Sequence, residues 1–232
     1  FLGNVGAEWI LKMDGPRGAS QGGALLIDAL LIAAFAVPHS VMARPTFKRW
    51  WTKFVPEPIE RSTYVLVSCL LMFLLLWQWR PVGGVVWEVR NPIGRAILSA
   101  VFVLGWLMVP AVSLLINHFD LFGSRQVWLH FRGRAYTQLP FRIPLAYRFV
   151  RHPLYVAWMI LFWATSTMTV AHLVFATLMT LYMLIAIPFE ERNLVEHFGA
   201  DYAEYRQRVG MLIPRLAGED GQVGRAGACP CR

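Results

Sequence analysis

Charge is what this sequence has least of. Only 16% of its 232 residues are Asp, Glu, Lys or Arg, against about 25% in an ordinary soluble domain. With 56% hydrophobic residues and a mean hydropathy of +0.46, the chain lacks the polar groups to cover a water-facing surface. That excludes a soluble cytosolic enzyme and a disordered protein. Cysteine is scarce as well: Cys69 sits inside an apolar stretch, and Cys229 and Cys231 lie in a Gly-rich tail. Three such residues make no disulfide framework and fit a reducing compartment. Lysine is nearly missing, since 19 of the 22 basic residues are arginine. There is no P-loop, no dinucleotide-binding glycine fingerprint and no Gly-x-Ser-x-Gly elbow. His39, His118, His130, His152, His172 and His197 show no ligand spacing, so no metal site is expected.

What the sequence has instead is long apolar runs. Residues 18–43 contain one formal charge, Asp28, and residues 62–79 and 96–116 contain none. Residues 153–189 form 37 further positions without a formal charge, broken by a polar run at Thr165–His172. At about 1.5 Å per residue and a hydrocarbon core of about 30 Å, that stretch is too long for one span and fits two helices joined by a turn. The expectation is an all-α integral membrane protein with five transmembrane helices over 18–189, the last two a helical hairpin. Residues 1–17 form an N-terminal extracytoplasmic segment with no cleaved signal peptide. Residues 190–216 read as cytoplasmic amphipathic helices, with Leu194, Val195, Phe198, Tyr202 and Tyr205 at helical spacing. Residues 217–232 read as a disordered tail.

Net charge is +8, with the bases gathered in loops: five Lys or Arg in 44–61, six Arg in 117–152, three in 80–95 and none in the hairpin turn. The positive-inside rule then puts the N-terminus outside and the C-terminus in the cytoplasm. Topology and anionic headgroups account for these bases, and no nucleic-acid partner is expected.

Three clusters at the cytoplasmic side carry candidate chemistry. Arg151 and His152 precede Pro153, a residue suited to the first turn of a helix, with Tyr155 one turn on. A cation beside free helix N–H groups suits a carboxylate ligand, or else the arginine simply reaches for headgroups. Glu190 and Glu191 end the fifth span, where carboxylates are costly unless paired. Because the last two spans are a hairpin, these glutamates share a face with Arg151 and His152; they grip a ligand together or clamp one another. His118 and Asp120, with Arg125 and Gln126 nearby, supply a base and its orienter or else cap helices. Within the membrane, Asp28 and His39 lie eleven residues apart on nearly one helical face, and such groups are functional candidates or satisfied core residues.

Arg151-His152-Pro153-x-Tyr155, then Glu190-Glu191-x-x-Leu194, Phe198-Gly199-x-x-Tyr202-x-x-Tyr205 and Pro214, resembles the isoprenylcysteine carboxyl methyltransferase superfamily of small membrane enzymes. A narrower likeness, in His118-Phe-Asp-Leu-Phe-Gly-x-Arg-Gln-Val127 and Phe162-Trp-Ala-Thr…Met168-Thr-Val-x-His172, is to the bacterial methanethiol S-methyltransferases. His39-Ser40-x-Met42-Ala43 and Glu60-Arg61-Ser62-x-Tyr64 also resemble nurim, a nuclear-envelope protein of the same fold without established methyltransferase activity; nurim-like chains lack the double glutamate. The resemblance implies S-adenosyl-L-methionine as cofactor, held from the cytoplasm by Arg151, His152, Pro153, Tyr155, Glu190, Glu191, Leu194, Tyr202 and Tyr205. It implies a small volatile thiol as substrate, a pocket touched by Trp158, Arg125 and Gln126, and a base among His118, Asp120 and His39. Aromatic faces at Tyr155, Trp158 and Phe189 are candidates to hold a sulfonium. A bacterial inner membrane with its lipid is the implied setting, with no obligate protein partner. Many superfamily members have Gly where this chain has Ala157; the extra methyl either narrows the pocket or packs against the next helix.

Overall fold

A computed structural model describes Met13 and residues 21–137 and 139–215. The N-terminal segment apart from Met13, and the tail with Cys229 and Cys231, lie outside the described residues. In chain order the helices are α1 (Gln21–Met42), α2 (Pro45–Trp51), α3 (Glu57–Gln78), α4 (Pro92–Ile116), α5 (His118–Leu121), α6 (Ser124–Phe131), α7 (Pro153–Trp163), α8 (Val170–Phe198) and α9 (Ala200–Arg208). Two short strands, β1 (Val85–Glu88) and β2 (Thr167–Thr169), join them.

The protein is mainly helical, and α1, α3, α4 and α8 are long and apolar enough to cross a membrane. The expected fourth span is α7, whose 11 residues reach about 16 Å. The charge-free stretch divides unevenly because its polar run goes into β2 and the turn before it. Helix α8 then runs 29 residues, unbroken past the expected boundary at 189, and carries Glu190 and Glu191 on its own last turns. The amphipathic segment is therefore the end of α8 plus α9, separated at Gly199, whose φ of 59° is left-handed and stops the helix.

Local chemistry sets the other ends. Asn91 accepts from Ile93 N at 2.9 Å and Gly94 N at 3.2 Å, with Pro92 in the first turn of α4. Asn117, with φ of 101°, ends α4 and accepts from Asp120 N at 3.2 Å to start α5. Thr169 accepts from His172 N at 3.1 Å to start α8.

Strands β1 and β2 pair antiparallel, Val85 with Thr169, Trp87 with Met168 and Glu88 with Thr167. That pairing puts the α7–α8 turn at the same end of the bundle as the α3–α4 connection. At the opposite end Arg61 Nε donates to Leu121 O at 3.0 Å, the Arg44 guanidinium lies 4.1 Å over the Phe189 ring, and Arg151 Nη1 donates to Val209 O at 3.0 Å. The base-rich loops and the C-terminal segment thus gather at one arginine-rich end. Between the ends, Ile32, Phe35, Leu75, Leu161, Phe162, Phe175 and Met179 form a core shared by α1, α3, α7 and α8. Ala157 belongs to this interior, fully buried, so its methyl packs within the bundle.

Gly123 fixes how α6 meets α3. Its φ is +82°, and a Cβ there would stand 2.7 Å from both Ser62 N and Ser62 Oγ. Gly123→Ala is expected to cost roughly 1–2 kcal/mol for the left-handed conformation and about 1–3 kcal/mol for overpacking. A melting curve in detergent checks this; an unchanged midpoint would show that α6 does not need that contact.

Candidate functional site

The backbone before α7 is held by the backbone after α9. Arg151 N donates to Gly210 O at 2.8 Å and His152 N to Met211 O at 3.2 Å, which lays the two segments side by side. Arg151 Nε donates to Glu191 Oε1 at 2.8 Å, and its Nη1 donates to Arg206 O at 2.6 Å and Val209 O at 3.0 Å. His152 Nε2 stands 3.1 Å from the same Glu191 oxygen, while Arg206 Nη1 reaches the other at 4.0 Å. The side chains of Arg151, His152 and Glu191 are only 10%, 6% and 9% exposed. A buried carboxylate survives there because it meets two cationic or polar donors, and the arginine's remaining protons meet helix-end carbonyls. Arg151 and Glu191 are thus clamped to one another.

Glu190 does something different. Neighbouring residues on a helix point about 100° apart, so Glu190 faces outward while Glu191 faces in. Tyr155 OH donates to Glu190 Oε2 at 2.7 Å, and the Tyr155 ring stacks on His152 at 5.4 Å. Glu190 Oε1 accepts no hydrogen bond among the described residues. Pro153 occupies the first turn of α7, and Leu194 lies half-buried a turn beyond Glu190.

Helix α9 closes over this corner with aromatic side chains. Tyr205 OH donates to Tyr147 O at 2.7 Å. The Phe141 ring lies 5.2 Å from Phe198, 6.0 Å from Tyr202 and 5.7 Å from Tyr205. The Tyr202 hydroxyl is buried with no partner among the described residues. Burial pushes the Tyr205 phenol up to about 12, with Glu191 raising and Arg151 lowering it; burial and then Glu191 push Tyr202 up as well. Both therefore stay protonated donors near neutral pH. Phe141 and Tyr147 were not picked out by sequence, since the loop holding them shows no periodicity.

The other candidates separate. Asp120 accepts from Arg125 Nη1 at 2.9 Å and from Tyr136 OH at 3.2 Å, and Gln126 Nε2 donates to Asp120 O at 3.3 Å. Arg125 also donates to Thr137 O at 3.0 Å, tying down the following loop. His118 instead pairs through Nδ1 with Ser113 Oγ at 2.8 Å and has no bond to Asp120. Trp158 packs in the seam between α4 and α7, 6.4 Å from Trp106 and 6.1 Å from Phe162. Phe189 already lies beneath Arg44. Asp28 is fully buried and accepts from Arg80 N at 2.8 Å, at the far end of α1 from His39, so those two are not brought together.

His39 lies at the arginine-rich end in a polar cluster between α1, α3 and α8. Its Nδ1 is 3.0 Å from Ser68 Oγ, the Tyr64 OH stands 3.0 Å from its Nε2 and 3.2 Å from its Nδ1, and its ring stacks on Phe35 at 5.2 Å. Ser40 Oγ donates to Tyr182 OH at 3.2 Å beside it. Tyr64 and Ser68 are four residues apart in an otherwise uncharged span, which is the pattern that could have revealed them.

Comparison with known proteins gives a consistent result. The chain is 50% identical over 214 residues to the methanethiol S-methyltransferase of Crocosphaera subtropica, covering 92% of this chain and 83% of that one. It is 50% identical over 214 residues to the methanethiol S-methyltransferase of Mycobacterium tuberculosis, covering 92% and 87%. Nurim of Bos taurus is 31% identical over 179 residues, covering 73% and 68%. No family model and no solved structure matches.

Proposed function

We propose, because the chain belongs to the methanethiol S-methyltransferase family, that it methylates methanethiol to dimethyl sulfide with S-adenosylmethionine as donor. The observation that carries the site assignment is the meeting of the Arg151-His152-Pro153-x-Tyr155 and Glu190-Glu191 motifs under α9. The residues suit a zwitterion bearing hydroxyls: Glu190 offers a free carboxylate oxygen, Tyr202 an unpartnered buried hydroxyl, and Phe141, Tyr202 and Tyr205 offer ring faces. S-adenosylmethionine, when bound, supplies an electrophilic methyl on a sulfonium. Glu190 and Tyr155 bind it, His152 and Leu194 line it, and the Arg151–Glu191 clamp holds α9 shut so that water is excluded. Exclusion of water strengthens each of these electrostatic contacts.

The remaining topology follows the base distribution. The arginine-rich end faces the cytoplasm, the N-terminus lies outside, and α7 with its turn completes a fifth pass through a bacterial inner membrane. The test uses the detergent-purified protein: calorimetric titration with S-adenosylhomocysteine, then headspace measurement of dimethyl sulfide after adding methanethiol and S-adenosylmethionine. Binding with dimethyl sulfide release is the expected result. Binding without release would move the acceptor to a larger thiol, an amine or a carboxylate. A folded protein that binds nothing would favour a non-catalytic role of the nurim kind.

A further inference from the structure

We propose that Arg44 holds the carboxylate of the methyl donor's amino-acid end, with Glu190 on its ammonium, so that the zwitterion bridges the α1–α2 junction and the end of α8. The inference rests on the S-adenosylmethionine reading and adds to it a binding residue outside the Arg151 and Glu190 motifs.

A carboxylate taken out of water without a partner is costly, so an amino acid bound at Glu190 needs a cation as well. Arg151 is already engaged: Glu191 matches its charge at 2.8 Å, and its Nη1 donates to Arg206 O and Val209 O. Arg206 leans on the same glutamate at 4.0 Å, and Arg61 Nε donates to Leu121 O at 3.0 Å. Arg44 is different. The residue is half-buried, and its guanidinium lies 4.1 Å over the ring of Phe189, which directly precedes Glu190 on α8. Contact with an aromatic ring steadies a guanidinium and leaves most of its N–H fork for a carboxylate. Arg192 approaches the same ring at 5.7 Å, adding positive charge that favours an anion there.

The fold fixes both ends of this site. Arg44 N donates to Val41 O and Arg44 O accepts from Lys48 N, both at 3.0 Å, and Pro45 opens α2 next to it. Four residues earlier, Ser40 Oγ donates to Tyr182 OH at 3.2 Å, which ties this end of α1 to α8. Glu190 and Arg44 are the charged groups that face the Tyr182 hydroxyl, one from α8 and one from the α1–α2 junction. Among the described residues neither makes an ion pair with the other or with any further group. An ammonium and a carboxylate on one carbon satisfy both at once. Tyr155 holds Glu190 through Oε2, leaving Oε1 for the ammonium. The rest of the donor then extends towards the aromatic corner under α9, where Phe141 meets Tyr202 and Tyr205.

The experiment is calorimetric titration of the full chain in phosphatidylcholine nanodiscs with two probes. One is S-adenosylhomocysteine; the other is its decarboxylated form, which keeps the ammonium and lacks the carboxylate. Wild type should bind the first roughly 10- to 100-fold more tightly, as one charge-assisted contact predicts. Arg44→Gln should weaken S-adenosylhomocysteine by the same factor and leave the decarboxylated probe unchanged, so that the preference disappears. Arg44→Lys, which keeps the charge without the fork, should retain part of it. Melting curves establish that each variant is folded. If Arg44→Gln does not fold, the preference measured in Arg44→Lys decides: one undiminished from wild type overturns the proposal. An arginine that only reaches for lipid headgroups would leave both affinities unchanged on substitution, and that result overturns it too, as does an equal loss for both probes. A folded wild type that binds neither compound refutes the S-adenosylmethionine reading itself, whereas one that binds both equally refutes the assignment of Arg44 alone.

Discussion

Glu191→Ala is expected to destabilise the protein by about 3–5 kcal/mol, because it strips the counter-charge from a buried guanidinium. Exposure decides the size of the effect. A solvent-exposed pair contributes about 0–1 kcal/mol, but Arg151 and Glu191 are 10% and 9% exposed, so water does not take over when the partner leaves. The loss reaches beyond the pair. Arg151 also binds Arg206 O and Val209 O, and His152 shares the Glu191 oxygen; without the carboxylate only those two carbonyls hold the guanidinium at the end of α9, and its charge is left uncompensated. The melting midpoint should fall by on the order of 10 °C, and hydrogen exchange should quicken over 200–211 before the rest of the chain. Glu191→Gln, which keeps an acceptor of the same shape, should lose less. A melting midpoint for Glu191→Ala equal to that of wild type would mean that α9 is held by its tyrosines and not by the clamp.

That clamp shows how far the sequence could be followed. The charge-free stretches locate α1, α3, α4 and α8 because lipid tolerates nothing else over that length. Pro153 marks the start of α7 through its missing N–H. The hairpin argument puts Arg151 and Glu191 at one end, since two consecutive antiparallel helices share a face. What stayed hidden depends on distant partners. The β1–β2 pairing joins segments some eighty residues apart by numbering, and Val85–Glu88 shows no alternation that would identify a strand. The carbonyls that hold Arg151 exist only because α9 folds back. The opposite roles of the two glutamates were partly legible, because adjacent helical positions diverge, but which one turns inward is set by where α7 lies. Asp28 and His39 share a face of α1, yet a shared face says nothing of depth: eleven residues are about 16 Å of helix, which puts them at opposite ends of the span.

Glu190 should behave in the reverse way to its neighbour. It is exposed, and among the described residues its hydrogen bond is the 2.7 Å one from Tyr155, so Glu190→Gln leaves the fold with an acceptor in the same place and little change in melting temperature. The carboxylate's second oxygen is the part a ligand would use. A hydrogen bond to a charged group contributes about 1.5–3 kcal/mol, which is roughly a 10- to 100-fold change in affinity. Glu190→Gln is therefore expected to weaken S-adenosylhomocysteine binding by about that factor, measured by calorimetry on protein whose melting curve matches wild type. Tyr155→Phe should follow in the same direction, because the carboxylate would then lose the donor that positions it. The pairing of the two experiments is what gives them force. Glu191 loses stability and, through it, everything downstream; Glu190 loses ligand alone. Equal affinity in Glu190→Gln would remove this carboxylate from the binding site and leave Tyr202, the buried hydroxyl without a partner among the described residues, as the polar group still available to a ligand beneath α9.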